Sequence, residues 1–166
     1  MIISAGPTLI SGLISALTWS VAGLPLHPLV VHAAVVFAPL SALTAIAYVA
    51  LPRYRDLLRW PTLVVVLIGF VSIWAAYFTG NNFFSDPRFT HFSGALLDQI
   101  HKHQSYARTL RWIMTGFAIV TVAATYLHDG PGTRRTVLGA LVVLGAVLTL
   151  VWTALTGDAG ARAVWG

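Results

Sequence analysis

Residues 60–78 read WPTLVVVLIGFVSIWAAYF, nineteen positions without a single charge. At ~1.5 Å per residue, a helix of that length reaches across roughly 30 Å of hydrocarbon. In lipid such a run has to be helical, because every backbone N–H and C=O must be satisfied within the segment. Working outward from it, three more runs fit the same description. One precedes it at about 29–51, and two follow at about 109–127 and 137–155. The third is preceded by a polar but helix-compatible stretch, so its helix is expected over about 95–127.

The composition agrees with this pattern. The chain has 166 residues, 57% hydrophobic and 9% charged, whereas a soluble domain carries about 25% charged residues. The fold expected is all-α: an integral membrane four-helix bundle over residues 25–166, preceded by a separate segment at 1–24. Within that segment Thr8, Ser11, Ser15 and Thr18 form one face of residues 7–22, and Ile10, Leu13, Ile14, Leu17 and Val21 the other. That pattern predicts an amphipathic helix lying in the membrane interface.

Several functions are excluded at this level. There is no cysteine, so disulfides, thiolate chemistry, cysteine-held iron–sulfur clusters and covalent c-type haem are ruled out. The net charge of +5 is modest, and no basic stripe is interleaved with aromatics, so no nucleic-acid site is expected. Nothing resembles a nucleophile elbow, a phosphate loop or a carboxylate pair. An electron carrier or binding protein fits better than an enzyme.

The arginines suggest an orientation. Arg53, Arg55 and Arg59 crowd one short loop, and Arg134 and Arg135 fall in another on the same side. Short loops of this kind mark the cytoplasmic face. The opposite face carries as many cations, Arg88, Lys102, Arg108, Arg111 and Arg162, but spread over longer stretches. On this reading His27, His32, His101, His103 and the C-terminus face outside a bacterial inner membrane.

That outer end holds the residues that could carry chemistry. Pro28 suits the first turn of a helix, which leaves His27 at its cap and His32 about one turn deeper. Five residues on a helix turn ~140°, so the two rings should not share a face. In LLDQIHKHQSYARTLRW, residues 96–112, Leu96, Ile100, His103, Ala107 and Leu110 fall on one face. His103 therefore points into the bundle, and His101 towards water. Asp158 closes the fourth run, just after Gly157. His91, in a loop, and His128, at the opposite face, read as structural, and Tyr106, Arg108 and Arg111 as interfacial anchors.

Two endings resemble each other. The second run finishes WAAYFTGNN and the fourth VWTALTGDAG, each with a Trp followed by Thr-Gly. The first and third runs both begin with paired histidines. A helix pair repeated twice would give a four-helix bundle with like ends together. Ala34, Ala38 and Ala42 on the first run, and Gly139, Ala146 and Thr153 on the fourth, are small-residue stripes that allow close packing.

GLPLHPLVVHAAVV at 23–36, PRYR at 52–55, the Thr79-Gly80 ending, the His103 segment and GDAGARAVW at 157–165 together resemble a bacterial membrane family, domain of unknown function 2231. The resemblance covers about residues 23–165. It implies four transmembrane helices and no established activity. Some relatives are fused to cytochrome c-like or Rieske-type domains, which implies electron transfer. Many relatives carry Gly-His-Ser-Gly-Ala where this chain has Gly157-Asp158-Ala159-Gly160-Ala161, so Asp158 suits a metal or hydrogen-bonding role better than haem ligation.

Three functions remain open. The first is a small b-type cytochrome, with haem b between His32 and His103 and with Gly80 and Gly157 leaving room for the macrocycle. It would exchange electrons with quinol or an external redox protein. The second is a zinc or copper site on His32, His103 and Asp158, with His27 at the rim. The third is a non-catalytic subunit or scaffold in a homo-oligomer or larger membrane complex.

Overall fold

The computed structural model describes residues 20–21, 24–84, 93–129 and 132–165. The interfacial helix expected at 7–22 lies outside them, except for Ser20–Val21. Those two residues pair antiparallel with Leu24–Pro25 instead of ending a helix. His91 and Arg88 also fall outside the described residues.

Four long helices follow: α1 (Leu26–Ala50), α2 (Arg55–Phe84), α3 (Ala95–Tyr126) and α4 (Gly132–Trp165). All are longer than the apolar runs that announced them. The PRYRDLLR stretch, read as a loop, is instead a 3₁₀ turn at Pro52–Tyr54 running straight into α2. Pro52 opens that turn, and Asp56 stands in the first turn of α2, where an acid complements the helix dipole. At the other end Gly94, at φ 64°, swings the chain into α3.

Three helices, α1, α2 with its 3₁₀ lead-in, and α4, are long and apolar enough to cross a membrane. The helix α3 falls short, a departure from the four equivalent spans expected. Arg108, Arg111 and its threonines dilute its apolar character. It nevertheless packs between α2 and α4, and its buried residues run from Leu110 to Thr125. α1 packs against α2 and α4, closing the ring.

The core reveals the repeat behind this ring. The buried residues of α1 are Ala34, Ala38, Ser41, Ala42, Ala45 and Tyr48. Moving each 76 positions along gives Leu110, Met114, Phe117, Ala118, Thr121 and Ala124, all buried on α3. Val66 on α2 and Val142 on α4 correspond at the same interval, and both are fully buried. Burial thus repeats although identity does not. Where α3 projects Leu110, Met114 and Phe117, the matching positions of α1 are Ala34, Ala38 and Ser41, as close packing of a shared core requires.

Each helix pair is pinched near its middle by a glycine. A Cβ on Gly69 would run into Ser41 Oγ and lie 3.0 Å from Phe37 O. The Ser41 hydroxyl bridges α1 and α2 there, reaching Phe37 O at 2.6 Å and Val65 O at 2.9 Å. A Cβ on Gly145, 76 positions after Gly69, would lie 2.9 Å from Phe117 Cδ2 and 3.3 Å from its Cα.

The arginine-rich end is tied by Tyr48. Its hydroxyl lies 3.0 Å from Ala124 O and 3.0 Å from His128 Nδ1. The Ala124 carbonyl is in the last turn of α3, where no further helical N–H is available. The other ring nitrogen of His128 binds Asp56 at the start of α2. His128 is structural, as the sequence reading expects. Tyr48→Phe strands the carbonyl and the imidazole together, and is expected to cost about 1–3 kcal/mol. A lowered Tm in detergent, followed by circular dichroism, would register it; an unchanged Tm would refute the tie.

Candidate functional site

At the opposite end α1 and α3 begin and α2 and α4 finish, and the four helices enclose a cavity of about 860 Å³. Its wall is mostly apolar, with Val31, Ile73, Ile100 and Leu110 among the lining residues. The volume lies within the range of small-molecule and cofactor sites, roughly 300–1,000 Å³. His27, His32 and His103 all line it, together with Gly80, Gly157 and Gly160.

The two histidines of LPLHPLVVH take roles opposite to those expected. His32 is exposed, and its Nδ1 turns back to Pro28 O at 2.6 Å. His27 is the ring drawn inward. It packs on α2, where a Cβ at Gly80 would lie 2.9 Å from its Cε1, and it stacks with Phe83 at 6.1 Å. The helix begins at Leu26, one residue before His27, so this ring already points from the first turn into the bundle. His103 is seated in the same way on α4, with Gly160 placing a would-be Cβ 3.0 Å from its Nδ1. His27 and His103 are 76 residues apart and line the same cavity.

A hydrogen bond at Nδ1 orients both rings. His103 Nδ1 lies 2.9 Å from Thr156 O, a pure acceptor, so Nδ1 carries the proton. His27 Nδ1 lies 3.2 Å from Thr79 Oγ1. The Thr79 hydroxyl already donates to the carbonyls of Ala75 and Ala76, at 2.8 and 3.1 Å. Accepting from His27 as well would leave Nδ1 the protonated nitrogen there, the tautomer that His103 adopts against Thr156 O. In that tautomer Nε2 keeps its lone pair. A metal-ligating histidine has this arrangement, donating through one nitrogen to an oriented acceptor and binding through the other.

The remaining candidates lie elsewhere. Asp158 does not line the cavity; it pairs with Arg162 on the outer surface at 2.9 Å, both side chains more than half exposed. Its position on α4, two residues before Gly160, turns it away from His103. Gly157 lines the cavity but has nothing within 4 Å of a would-be Cβ; Gly160 takes the close-contact role. His101 is exposed against Phe84 at 5.9 Å. Among the described residues no three His, Asp or Glu side chains converge as a metal-holding group. The Arg111 guanidinium lies over Tyr77 at 3.9 Å and over Trp74 and Trp112 at 5.1 Å, an anchoring arrangement as expected.

Sequence reasoning missed Thr156 and Gly160. The signal was present: Thr156 and Gly160 are one helical turn apart, and Thr79-Gly80 answers them in the second helix. Comparison with known proteins adds one result. A family model described as a predicted membrane protein (DUF2231) matches residues 23–166. No curated protein and no solved structure matches the chain.

Proposed function

The chain belongs to the DUF2231 family of predicted membrane proteins, and we propose that it is a b-type cytochrome holding one haem between His27 and His103. One observation carries this reading. Two imidazoles, from opposite halves of a repeated bundle, are each hydrogen-bonded through Nδ1 and line one apolar chamber. The Nε2 atoms of two such rings would hold a haem iron. This replaces His32 by His27 in the ligand pair drawn from sequence, and keeps His103.

The protein's own groups do the rest. Thr79 and Thr156 orient the rings, Gly80 and Gly160 let them lie flat on the helices, and the apolar wall excludes water. Haem would supply one-electron redox chemistry. On this reading the site faces the outside of a bacterial inner membrane, with the short arginine-rich loops of the far end on the cytoplasmic side. A single site near one face exchanges electrons with quinol from the bilayer or with a redox protein outside. Zinc or copper is less well served, because Asp158 faces away and no carboxylate among the described residues joins the two nitrogens.

Titrating the purified protein with haem tests the proposal. A sharp Soret band of a low-spin, six-coordinate iron is expected, saturating at one haem per chain. No Soret change would overturn it. Elemental analysis of the same sample identifies zinc or copper if either occupies these nitrogens instead.

A further inference from the structure

At the arginine-rich end, the close of α1 and the start of α4 leave a second cavity, about 810 Å³ in volume. Its two ends differ in chemistry. The body is apolar, with Val49 on one side and Gly139, Val143 and Leu144 on the other. Gly139 keeps the floor low: a Cβ there would stand 3.2 Å from Val49 Cγ1. The mouth holds Arg55 and Arg135. Arg55 has its ring-facing side over Tyr48 at 4.9 Å, and its Nε is buried with no hydrogen-bond partner. A buried guanidinium N–H left without an acceptor is costly, and an anion at the mouth would satisfy it.

Two further features favour negative charge there. Arg135 belongs to the first turn of α4, whose N–H groups have no partner within the helix and carry the positive end of its dipole. The acids nearby are few. Asp56 is bound by His128, and the loops of this end carry only Asp129 besides it, against Arg53, Arg55, Arg59, Arg134 and Arg135. The apolar part of the groove opens towards lipid, with Leu144 54% and Val147 45% exposed.

We propose that this groove binds one anionic phospholipid, its phosphate between Arg55 and Arg135 and one acyl chain along α4. An apolar cleft leading to paired arginines at headgroup height matches both parts of such a molecule and neither a zwitterionic lipid nor a free anion. The inference does not rest on the haem reading, which concerns the other end of the bundle.

Native mass spectrometry of the detergent-solubilised full chain tests it, with phosphatidylglycerol, phosphatidylcholine and glycerol phosphate as separate probes. Phosphatidylglycerol is expected to stay bound while phosphatidylcholine is lost. An arginine near an anionic lipid is worth about fivefold in binding, so R55Q/R135Q is expected to weaken retention roughly twenty-five-fold. Ala140→Trp, at an exposed position lining the same groove, should fill the acyl channel and also expel the lipid. Equal retention of phosphatidylcholine by the wild-type chain would overturn the proposal without any variant. So would retention unchanged in both variants. Displacement of the lipid by glycerol phosphate at matching concentration would reduce the site to a simple anion pocket.

Discussion

Gly69→Val is expected to leave no stable bundle. The Cβ alone would enter the space of Ser41 Oγ and stand 3.0 Å from Phe37 O and 3.0 Å from Met114 Cε. The end of a methionine can move aside. The other two neighbours cannot: Phe37 O is backbone, and Ser41 is held by its bonds to Phe37 O and Val65 O. Valine adds two further carbons to the same gap, so α1 and α2 must separate along the length that their contact buries. Overpacking of this kind costs about 1–3 kcal/mol where side chains can yield, and more where backbone must move. Total stability is of order 5–15 kcal/mol. We expect at least ~3 kcal/mol, read as a large drop in Tm or as failure to recover helical protein from detergent. Gly116→Val is the control, since nothing lies within 4 Å of a Cβ there. If the two variants melt alike, the close approach at Gly69 does not hold the pair together.

The same geometry explains what could be read from the residues and what could not. The helices were legible because a bilayer leaves uninterrupted apolar runs few alternatives. Their ends were less so, since a polar stretch such as PRYRDLLR extends a helix once the solvent changes from lipid to headgroup and water. The repeat was legible only at its Thr-Gly endings and its paired histidines. Its core was hidden because two halves sharing one interior must complement each other in size. Ser41 and Phe117 occupy equivalent places, yet no comparison of residue type would pair them.

The site was half legible for a related reason. His103 could be aimed inward from its own helix, where Leu96, Ile100, Ala107 and Leu110 define the side that lines the cavity. The choice between His27 and His32 could not be made that way. It depends on which ring meets a glycine on the neighbouring helix, and Gly80 lies 53 residues after His27. Treating depth as burial favoured His32, one turn further into the membrane. Lateral packing decides instead: His32 sits on the exposed face of α1, while His27, nearer the end, is covered by α2.

His27→Ala and His103→Ala are therefore expected to abolish haem binding to similar extents, while His32→Ala and Asp158→Asn leave it essentially unchanged. Removing the hydrogen-bond partner of a metal-ligating histidine typically costs ~10–100-fold in affinity, so losing the ligand itself should exceed the upper figure. Thr79→Val tests the intermediate case. It deletes the hydroxyl hydrogen-bonded to His27 Nδ1 and should weaken binding by ~10-fold, without the spectral change that follows loss of an iron ligand. Gly160→Leu leaves both imidazoles in the chain but pushes His103 off its seat, and should behave like His103→Ala. Absorption separates these outcomes from simple unfolding: a ligand variant that still binds turns from low-spin to high-spin iron at unchanged helicity. Equivalence of His27 and His103 is the demanding part. A bundle with internal two-fold repetition has two matched histidines at one end, and loss of binding in His32→Ala but not in His27→Ala would mean that the repeat does not extend to the site.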